Sequence, residues 1–448
     1  MNDEISPTRV PATTDPEPSV TVVGAGLAGL TAASVAARAG AAVTVLEART
    51  REGGRARSEV RASGAIFNEG PHALYANLAG WHELQALGID PKGGRPSARA
   101  WGRWNGRIDR LPGTTADAVR TRLVGIRAKA QLAKLLADPG RALRGDLSGS
   151  LGDWIDRVVS HPDARALLAM VGRTATYVAD PHAIAAEAAV PQIVGALVEG
   201  VRYLDGGWQQ LVDALRDVAE GAGAKIVVDA KATEITRATS DDAWVVRGAT
   251  DSAVGSDAAR SADRYESDAV IIAAGGPRAA ANLLGDLSRD AATWASTLTP
   301  VAMASLDLHL RALPLPERRA CFALDAPIYF STHTPAAALA PHGEVVQVAW
   351  YGEHDDSTLA TLESFCDEVQ PGWRDQVIDR RFGRRLVPAY GAPHPDHGFA
   401  GRPGPVISDC PGVFVAGDWV GRRGLLADAS IASGADAARS AMASLAAR

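Results

Sequence analysis

A glycine-spaced turn between a short apolar strand and an alanine-rich helix constrains this chain more than any other stretch. Val20-Thr21-Val22-Val23 reads as a buried strand, and Gly24-Ala25-Gly26-Leu27-Ala28-Gly29 turns directly into a helix that ends near Arg38-Ala39-Gly40. Ala42–Leu46 reads as a second strand that finishes on an acid, Glu47. G-x-G-x-x-G in this strand–turn–helix–strand setting is a dinucleotide-binding crossover, and each part has a physical task. Gly24 makes the tight turn, Gly26 lets backbone approach a pyrophosphate, and Gly29 lets the helix pack closely on the strand. The phosphate sits where free N–H groups and the positive end of the helix dipole face it. Glu47 follows Gly26 by about 20 residues, the distance at which an acid accepts from both hydroxyls of an adenosine ribose. A glutamate there disfavours a 2′-phosphate, and so NADP.

Gly53-Gly54-Arg55 separates FAD from NAD. A diglycine followed by arginine places more backbone and a guanidinium beside the same diphosphate, which suits the longer FAD molecule. The expected cofactor is FAD, with Leu27, Ala28, Ala48 and Arg49 among its contacts. No second G-x-G-x-x-G occurs; Gly221-Ala222-Gly223 lacks the third glycine and precedes a strand. A separate NAD(P)H domain is therefore not expected, which sets aside pyridine-nucleotide disulfide reductases and typical NADPH-fed monooxygenases.

Glu47-Ala48-Arg49 followed by Gly53-Gly54-Arg55 resembles the second motif of the FAD-dependent amine oxidases, phytoene-type desaturases and protoporphyrinogen oxidase. Further matches run in the order of that superfamily. Phe67-Asn68-Glu69-Gly70-Pro71-His72 is similar to the segment that passes the isoalloxazine in desaturase-like members. Tyr203-Leu204-Asp205-Gly206-Gly207-Trp208 is similar to their Tyr-Pro-x-Gly-Gly turn, and Val413-Phe414-Val415-Ala416-Gly417-Asp418 to their closing FAD motif. Residues 76–199 and 281–385 carry no match to one subfamily. The resemblance implies an α/β fold: a Rossmann-type, glutathione-reductase-2-like FAD-binding domain with a discontinuous α+β substrate domain. It also implies that the helix beginning at Ala427-Asp428-Ala429-Ser430 points its N-terminus at the pyrimidine end of the flavin. There the helix dipole stabilises the negative charge of the reduced ring. By the same resemblance Asp418 accepts from ribityl hydroxyls. Gly70, Pro71 and His72 pass the ring, and Ala232, Ala274 and Gly275 are expected at the cofactor too.

Length and composition fit this reading. A chain of 448 residues holds two or three domain-sized units. The expected division is a tail at 1–18, an FAD-binding domain of 19–75, 200–280 and 395–448, and a substrate domain of 76–199 and 281–394. A net charge of −6 argues against general nucleic-acid binding. Cys321, Cys366 and Cys410 are widely spaced with no C-x-x-C, which points to a reducing, cytoplasmic compartment without a disulfide framework. Cys410 reads as a small buried hydrophobe rather than a flavin thioether. Residues 1–18 are rich in Pro, Thr and acids and read as a disordered tail rather than a signal peptide. The window 19–37 is free of charge, but its strand–turn–helix punctuation makes it a crossover and not a membrane span.

Further along, 97–113 reads as a hairpin about Asn105-Gly106, and 114–199 as helical. Between Arg120 and Arg144 seven basic residues face one acid, Asp138. That face is either solvated or a patch for an anionic membrane or substrate, so peripheral membrane contact is the most that is expected. Three successive strands are expected at 224–229, 232–236 and 243–247, a loop at 250–262, and one strand over 265–274 returning to the parallel sheet. Strands at 302–310 and 345–351 and a helix near 359–369 belong to the substrate sheet. Residues 412–416 and a final helix complete the first sheet.

Flavin chemistry asks little of side chains beyond position and electrostatics. His72 is read as a base or polar contact, against the alternative of a packed, hydrogen-bonded residue. Trp350, Tyr351 and Trp419 either wall an apolar pocket or lie in the core. Arg384-Arg385 and Arg422-Arg423 are solvated or anchor a carboxylate. The resembled amine oxidases hold a lysine near flavin N5 through water, and this chain has no lysine after Lys231. The expectation is a hydride-removing desaturase or dehydrogenase acting on a small, largely apolar molecule, with oxygen or another electron acceptor, and no metal. The second reading is an amine or amino-acid oxidase releasing hydrogen peroxide. The third is non-redox, a binding module such as Rab escort and GDP-dissociation inhibitor proteins, or a flavin mutase such as UDP-galactopyranose mutase.

Overall fold

The structure is a computed structural model, and it describes residues 17–113, 115–239, 243–250 and 263–448. The expected tail at 1–18 and loop at 250–262 lie almost wholly outside the described residues. A five-stranded parallel sheet orders Lys225–Val227, Ala42–Leu46, Ser19–Val23, Ala269–Ile272 and Val413–Val415. Its two C-terminal strands are buried throughout, as expected where helices cover both faces of a parallel sheet. The fold is α/β and of the Rossmann-like FAD-binding kind.

The first crossover follows from its residues. Gly26 is extended, and the helix Leu27–Arg38 buries Leu27, Ala28, Leu30, Ala32, Ala33, Ala36 and Ala37. Arg38 in the last turn suits the negative end of the dipole and donates to the Leu87 carbonyl at 2.9 Å. Small residues let the last helix, Leu426–Ala446, lie directly on it. A Cβ on Gly434 would fall 2.2 Å from the Ala28 carbonyl oxygen, so the two helices touch backbone to backbone.

One sequence expectation needs correction here. Residues 265–274 form two strands and not one: Asp263–Ser267 belongs to a three-stranded antiparallel sheet, and Ala269–Ile272 to the parallel one. The break falls at Asp268, whose carboxylate accepts from the Ser19 N–H at 2.8 Å and hydroxyl at 2.7 Å. The three successive strands expected over 224–247 form at Lys225–Val227, Ala230–Arg237 and Trp244–Thr250, and of these Lys225–Val227 pairs with the parallel sheet. Asp229, at φ 53, turns the chain into Ala230–Arg237, which leads Trp244–Thr250 into the antiparallel sheet.

A seven-stranded sheet orders Val377–Leu386, Met303–Leu310, Glu344–Tyr351, Ile328–Thr332, Ala320–Ala323, Trp101–Trp104 and Arg107–Arg110. The last two are the hairpin about Asn105-Gly106, where both central residues have positive φ (51 and 72), as a type I′ turn requires. One face packs on Thr358–Val369 through Leu362, Phe365 and Val369. The other faces a helical cap that includes Pro162–Thr176 and Ala186–Val198. Asp138, the one acid of the basic stretch, caps the helix Pro139–Arg144 by accepting from the Arg141 N–H. Among the described residues no helix is long and apolar enough to cross a membrane.

Gly434→Ala is expected to destabilise the protein by about 1–3 kcal/mol, the usual cost of overpacking. Gly221→Ala, with open space around it, is expected to be neutral or slightly stabilising. Thermal melts of the two variants check the pair, and equal melting temperatures would contradict the close-contact account.

Candidate active site

Two glycine turns face each other at the C-terminal ends of the parallel strands. Gly53 donates to the Ala25 carbonyl at 2.8 Å, and a Cβ on Gly26 would reach 4.0 Å from both the Gly53 carbonyl oxygen and Gly54 Cα. The helix Leu27–Arg38 has no side-chain cap and no acid in its first turn, so its leading N–H groups are free to receive an anion. Ala274 flanks the same turn, since a Cβ on Gly24 would lie 3.1 Å from Ala274 Cα. Gly275, at φ 57, follows it. The Glu47 carboxylate is 8% exposed and fixed by two backbone donors: Ala25 N at 2.9 Å and Arg49 N at 3.0 Å. Behind it, the Glu47 and Arg49 carbonyls accept from Ala230 and Asp229, which anchors the strand carrying Ala232.

Asn68 ties the Gly206-Gly207 turn to Ser58. Its side-chain carbonyl accepts from the Ser58 hydroxyl at 2.7 Å and from the Trp208 N–H at 3.0 Å. A Cβ on Gly207 would lie 2.4 Å from that hydroxyl. The 66–72 segment is thereby pressed on Gly207-Trp208, and the His72 ring lies 4.7 Å from the Trp208 ring. His72 Nδ1 lies 2.8 Å from the Gly70 carbonyl oxygen. A carbonyl only accepts, so Nδ1 carries the proton and Nε2 the lone pair. Burial lowers the His72 pKa and the Arg55 guanidinium adds to this, outweighing the Gly70 and Arg55 carbonyls and Glu69, which raise it.

Beside His72 opens a cavity of about 720 Å³ between the helical cap and the seven-stranded sheet. Five of the chain's seven tyrosines line it: Tyr75, Tyr177, Tyr203, Tyr329 and Tyr351. Tyr329 stacks on Tyr351 at 5.4 Å and on Phe322 at 5.6 Å, and Tyr177 meets Tyr351 edge-on at 5.6 Å. The Tyr177 hydroxyl donates to the Pro71 carbonyl at 2.9 Å, which couples the cap to the segment beside His72. Burial raises the pKa of all five phenols. No Asp or Glu is among the described residues that line the cavity; its cations are Arg95, exposed at the rim, and Arg319, paired with Glu344 through two 3.0 Å contacts.

Several expected site residues make contacts within the protein that the sequence did not suggest. Trp350 alternates with Tyr351 along its strand, so it faces the opposite side of the sheet. It pairs opposite Ile328 and donates its indole N–H to the Glu353 carbonyl at 2.9 Å. Trp419 is 2% exposed and packs on Trp294 in the core rather than on the cavity. Asp418 and Arg55 bind each other through contacts of 2.5 and 3.1 Å, and Tyr390 N donates to Asp418 at 2.7 Å. The Asp418 carboxylate is thus taken by protein donors, and the Arg55 guanidinium by Asp418 and the Val387 and Pro388 carbonyls. Asp428 turns away to cap the helix Ala79–Ala86, accepting from Gly80 N at 2.5 Å. The Ser430 hydroxyl donates back to Leu426 within its own helix, and Ala427 packs on the core of the parallel sheet. Cys410 is buried, its thiol pushed up to about 11 by burial. Tyr177, Tyr329 and His333 were not singled out from sequence. Alternation over Ile328–Thr332 was the available signal for Tyr329, because Tyr329 and Ser331 share a face that Ile328 and Phe330 do not.

The family profile described as flavin containing amine oxidoreductase matches residues 27–442. The chain belongs to that family. A hydroxyneurosporene desaturase of Cereibacter sphaeroides is 30% identical over 267 residues, 49% of this chain and 51% of that protein, so the match spans about half of that relative. An oxidoreductase of Methanosarcina mazei superposes with a TM-score of 0.72 at 20% identity, over 95% of this chain and 100% of that one. Cyclohexylamine oxidase of Brevibacterium oxydans superposes with a TM-score of 0.67 at 16% identity, over 96% and 99%. These structural likenesses establish the fold. The family's cofactor is FAD, and the groove suits it: an uncapped helix N-terminus, two opposed glycine turns and a fixed acid lie together at one end of the sheet.

In this flavin-containing fold Asp428 has an energetic consequence. Burial raises its pKa to about 6, against the Gly80 N–H and Arg423, and its second oxygen is buried without a partner. A folded-state pKa above the unfolded one favours the protonated carboxyl, so its contribution is present near pH 4 and lost as pH rises through about 6. Relative to Asp428→Asn, the protein is expected to lose up to about 3 kcal/mol of stability between pH 4 and pH 6.5. Urea denaturation across that range reads the difference, and parallel curves for the two proteins would refute it.

Proposed function

We propose that this protein is an FAD-dependent oxidoreductase that removes a hydride from a C–H bond of a small, largely apolar molecule and leaves a double bond. The observation that carries the reading is the cavity beside His72, walled by tyrosines and with no carboxylate among the described residues that line it. Pockets of this size hold drug-sized ligands with most of their surface buried. When bound, FAD supplies the hydride acceptor. The Gly24–Gly29 turn and the helix N-terminus would hold its diphosphate, and Glu47 its ribose. The aromatic wall excludes water and holds the substrate by apolar contact. A desaturation also releases a proton from the neighbouring carbon. His72 Nε2 carries a lone pair, and burial keeps the ring neutral, so this atom is the proposed proton acceptor. Oxygen or another acceptor completes the turnover.

A second reading is amine oxidation. The Tyr177, Tyr329 and Tyr351 faces favour it, since aromatic faces attract ammonium groups. The lack of a lining carboxylate weighs against binding a charged amine.

Anaerobic bleaching of the flavin separates the two. Reduction by apolar C–H donors and not by amines is expected; reduction by amines with peroxide release would favour the second reading. His72→Gln is expected to slow bleaching about 10²-fold or more with flavin content unchanged, and an unaltered rate would remove His72 as the base. Glu47→Gln is expected to weaken FAD binding about ten- to hundredfold, measured by flavin fluorescence titration of the apoprotein. Wild-type affinity in that variant would exclude Glu47 from the cofactor site.

A further inference from the structure

His333 lines the cavity just beyond the strand Ile328–Thr332. Its backbone is fixed by an N–H bond to the Val345 carbonyl at 2.9 Å and by its own carbonyl accepting from Ala337 at 3.0 Å. The ring stacks flat on Tyr203, with centroids 4.0 Å apart and planes 6° from parallel. The residue is 2% exposed. Neither ring nitrogen has a hydrogen-bond partner among the described residues. Unlike His309 Nδ1, neither is among the polar atoms sealed in the interior without a partner. Burying an unpartnered imidazole costs about 1–3 kcal/mol, and such groups are usually satisfied by something. Here the cavity is what the ring borders.

We propose that His333 is the polar anchor of the cavity, and that the substrate is a neutral, mostly apolar molecule carrying a hydroxyl or carbonyl oxygen that bonds to this ring. The proposal rests on the cavity being the substrate site. Three features select an oxygen function over a charge. The imidazole is neutral, its pKa pushed down to about 3 by burial and by His72, so one nitrogen donates and the other accepts. The neighbouring polar groups are hydroxyls already engaged: Tyr203 with Ser331 at 3.0 Å, and Thr332 with the Arg319 carbonyl at 3.0 Å. Arg319 is neutralised by Glu344, so it offers no unpaired charge beside His333. The Tyr203 stack fixes its plane, so the direction of that bond is set before a ligand arrives. His333 is a specificity-determining residue in this account, separate from the proton acceptor His72.

Binding of 2-naphthol, 2-methoxynaphthalene and naphthalene to the FAD-loaded protein tests it without turnover, read from the visible flavin spectrum and protein fluorescence. The wild type is expected to bind 2-naphthol about three- to tenfold tighter than naphthalene, with 2-methoxynaphthalene between them. His333→Phe, which keeps the stack, is expected to lose that preference while binding naphthalene within twofold of wild type, and His333→Gln to retain it. Equal affinity of wild type for all three, or the full preference surviving in His333→Phe, would overturn the proposal. Because the series is first compared on the unaltered protein, a variant that folds poorly does not remove the test. Failure of bleaching with every C–H donor would instead overturn the hydride-removal reading and leave the ligand preference standing.

Discussion

Contact between backbones, with no side chain between them, is the constraint on which this structure depends. A Cβ on Gly29 would lie 1.8 Å from the Gly24 carbonyl oxygen, and one on Gly434 would lie 2.2 Å from the Ala28 carbonyl oxygen. The first contact sets how sharply the chain leaves the strand Ser19–Val23, and so where the N–H groups of the following helix point. The second seats the last helix on the first. The first and last helices, from opposite ends of the described chain, are thereby joined over one sheet. Larger residues at either position would separate the elements by more than a packed interior accommodates.

Features with short-range causes were legible in the sequence. The crossover, the hairpin at Asn105-Gly106 and the closing strand Val413–Val415 are each written in one continuous stretch, and the structure forms them. Features with long-range causes were not. The strand over 265–274 breaks because Asp268 meets Ser19, 249 positions away in sequence. Trp350 and Tyr351 read alike as pocket aromatics, yet a strand sends neighbours to opposite faces. Only the placement of the helical cap decides which face borders the cavity. Tyr177 reaches the cavity from a left-handed position at the end of the helix Pro162–Thr176, for which no local pattern is diagnostic.

Charged residues in the recognised motifs show the same limit. A motif locates a segment, whereas the partner of a side chain depends on what else reaches the spot. Asp418 and Arg55, far apart in sequence, meet in the groove and satisfy each other. Asp428 opens the last helix as expected, but its carboxylate is drawn to the N-terminus of Ala79–Ala86, where a free N–H group and the positive end of a dipole await an acceptor. The helix start stands where the sequence puts it; the carboxylate serves the fold.

The electrostatics of the cavity follow from which charges are kept out of it. Burial raises the phenol pKa of its tyrosines and lowers the imidazole pKa of His72 and His333, so every titratable ring in the wall is neutral near pH 7. Arg319 on the lining is neutralised by Glu344, and Arg95 is exposed. A charged ligand entering this space would give up its hydration without finding an opposite charge, a loss that aromatic faces repay only in part. A neutral ligand forfeits little and gains the full apolar contact. The proposed selection for uncharged molecules would therefore be a property of the whole wall, and orientation within it would fall to polar atoms that the wall leaves unpaired.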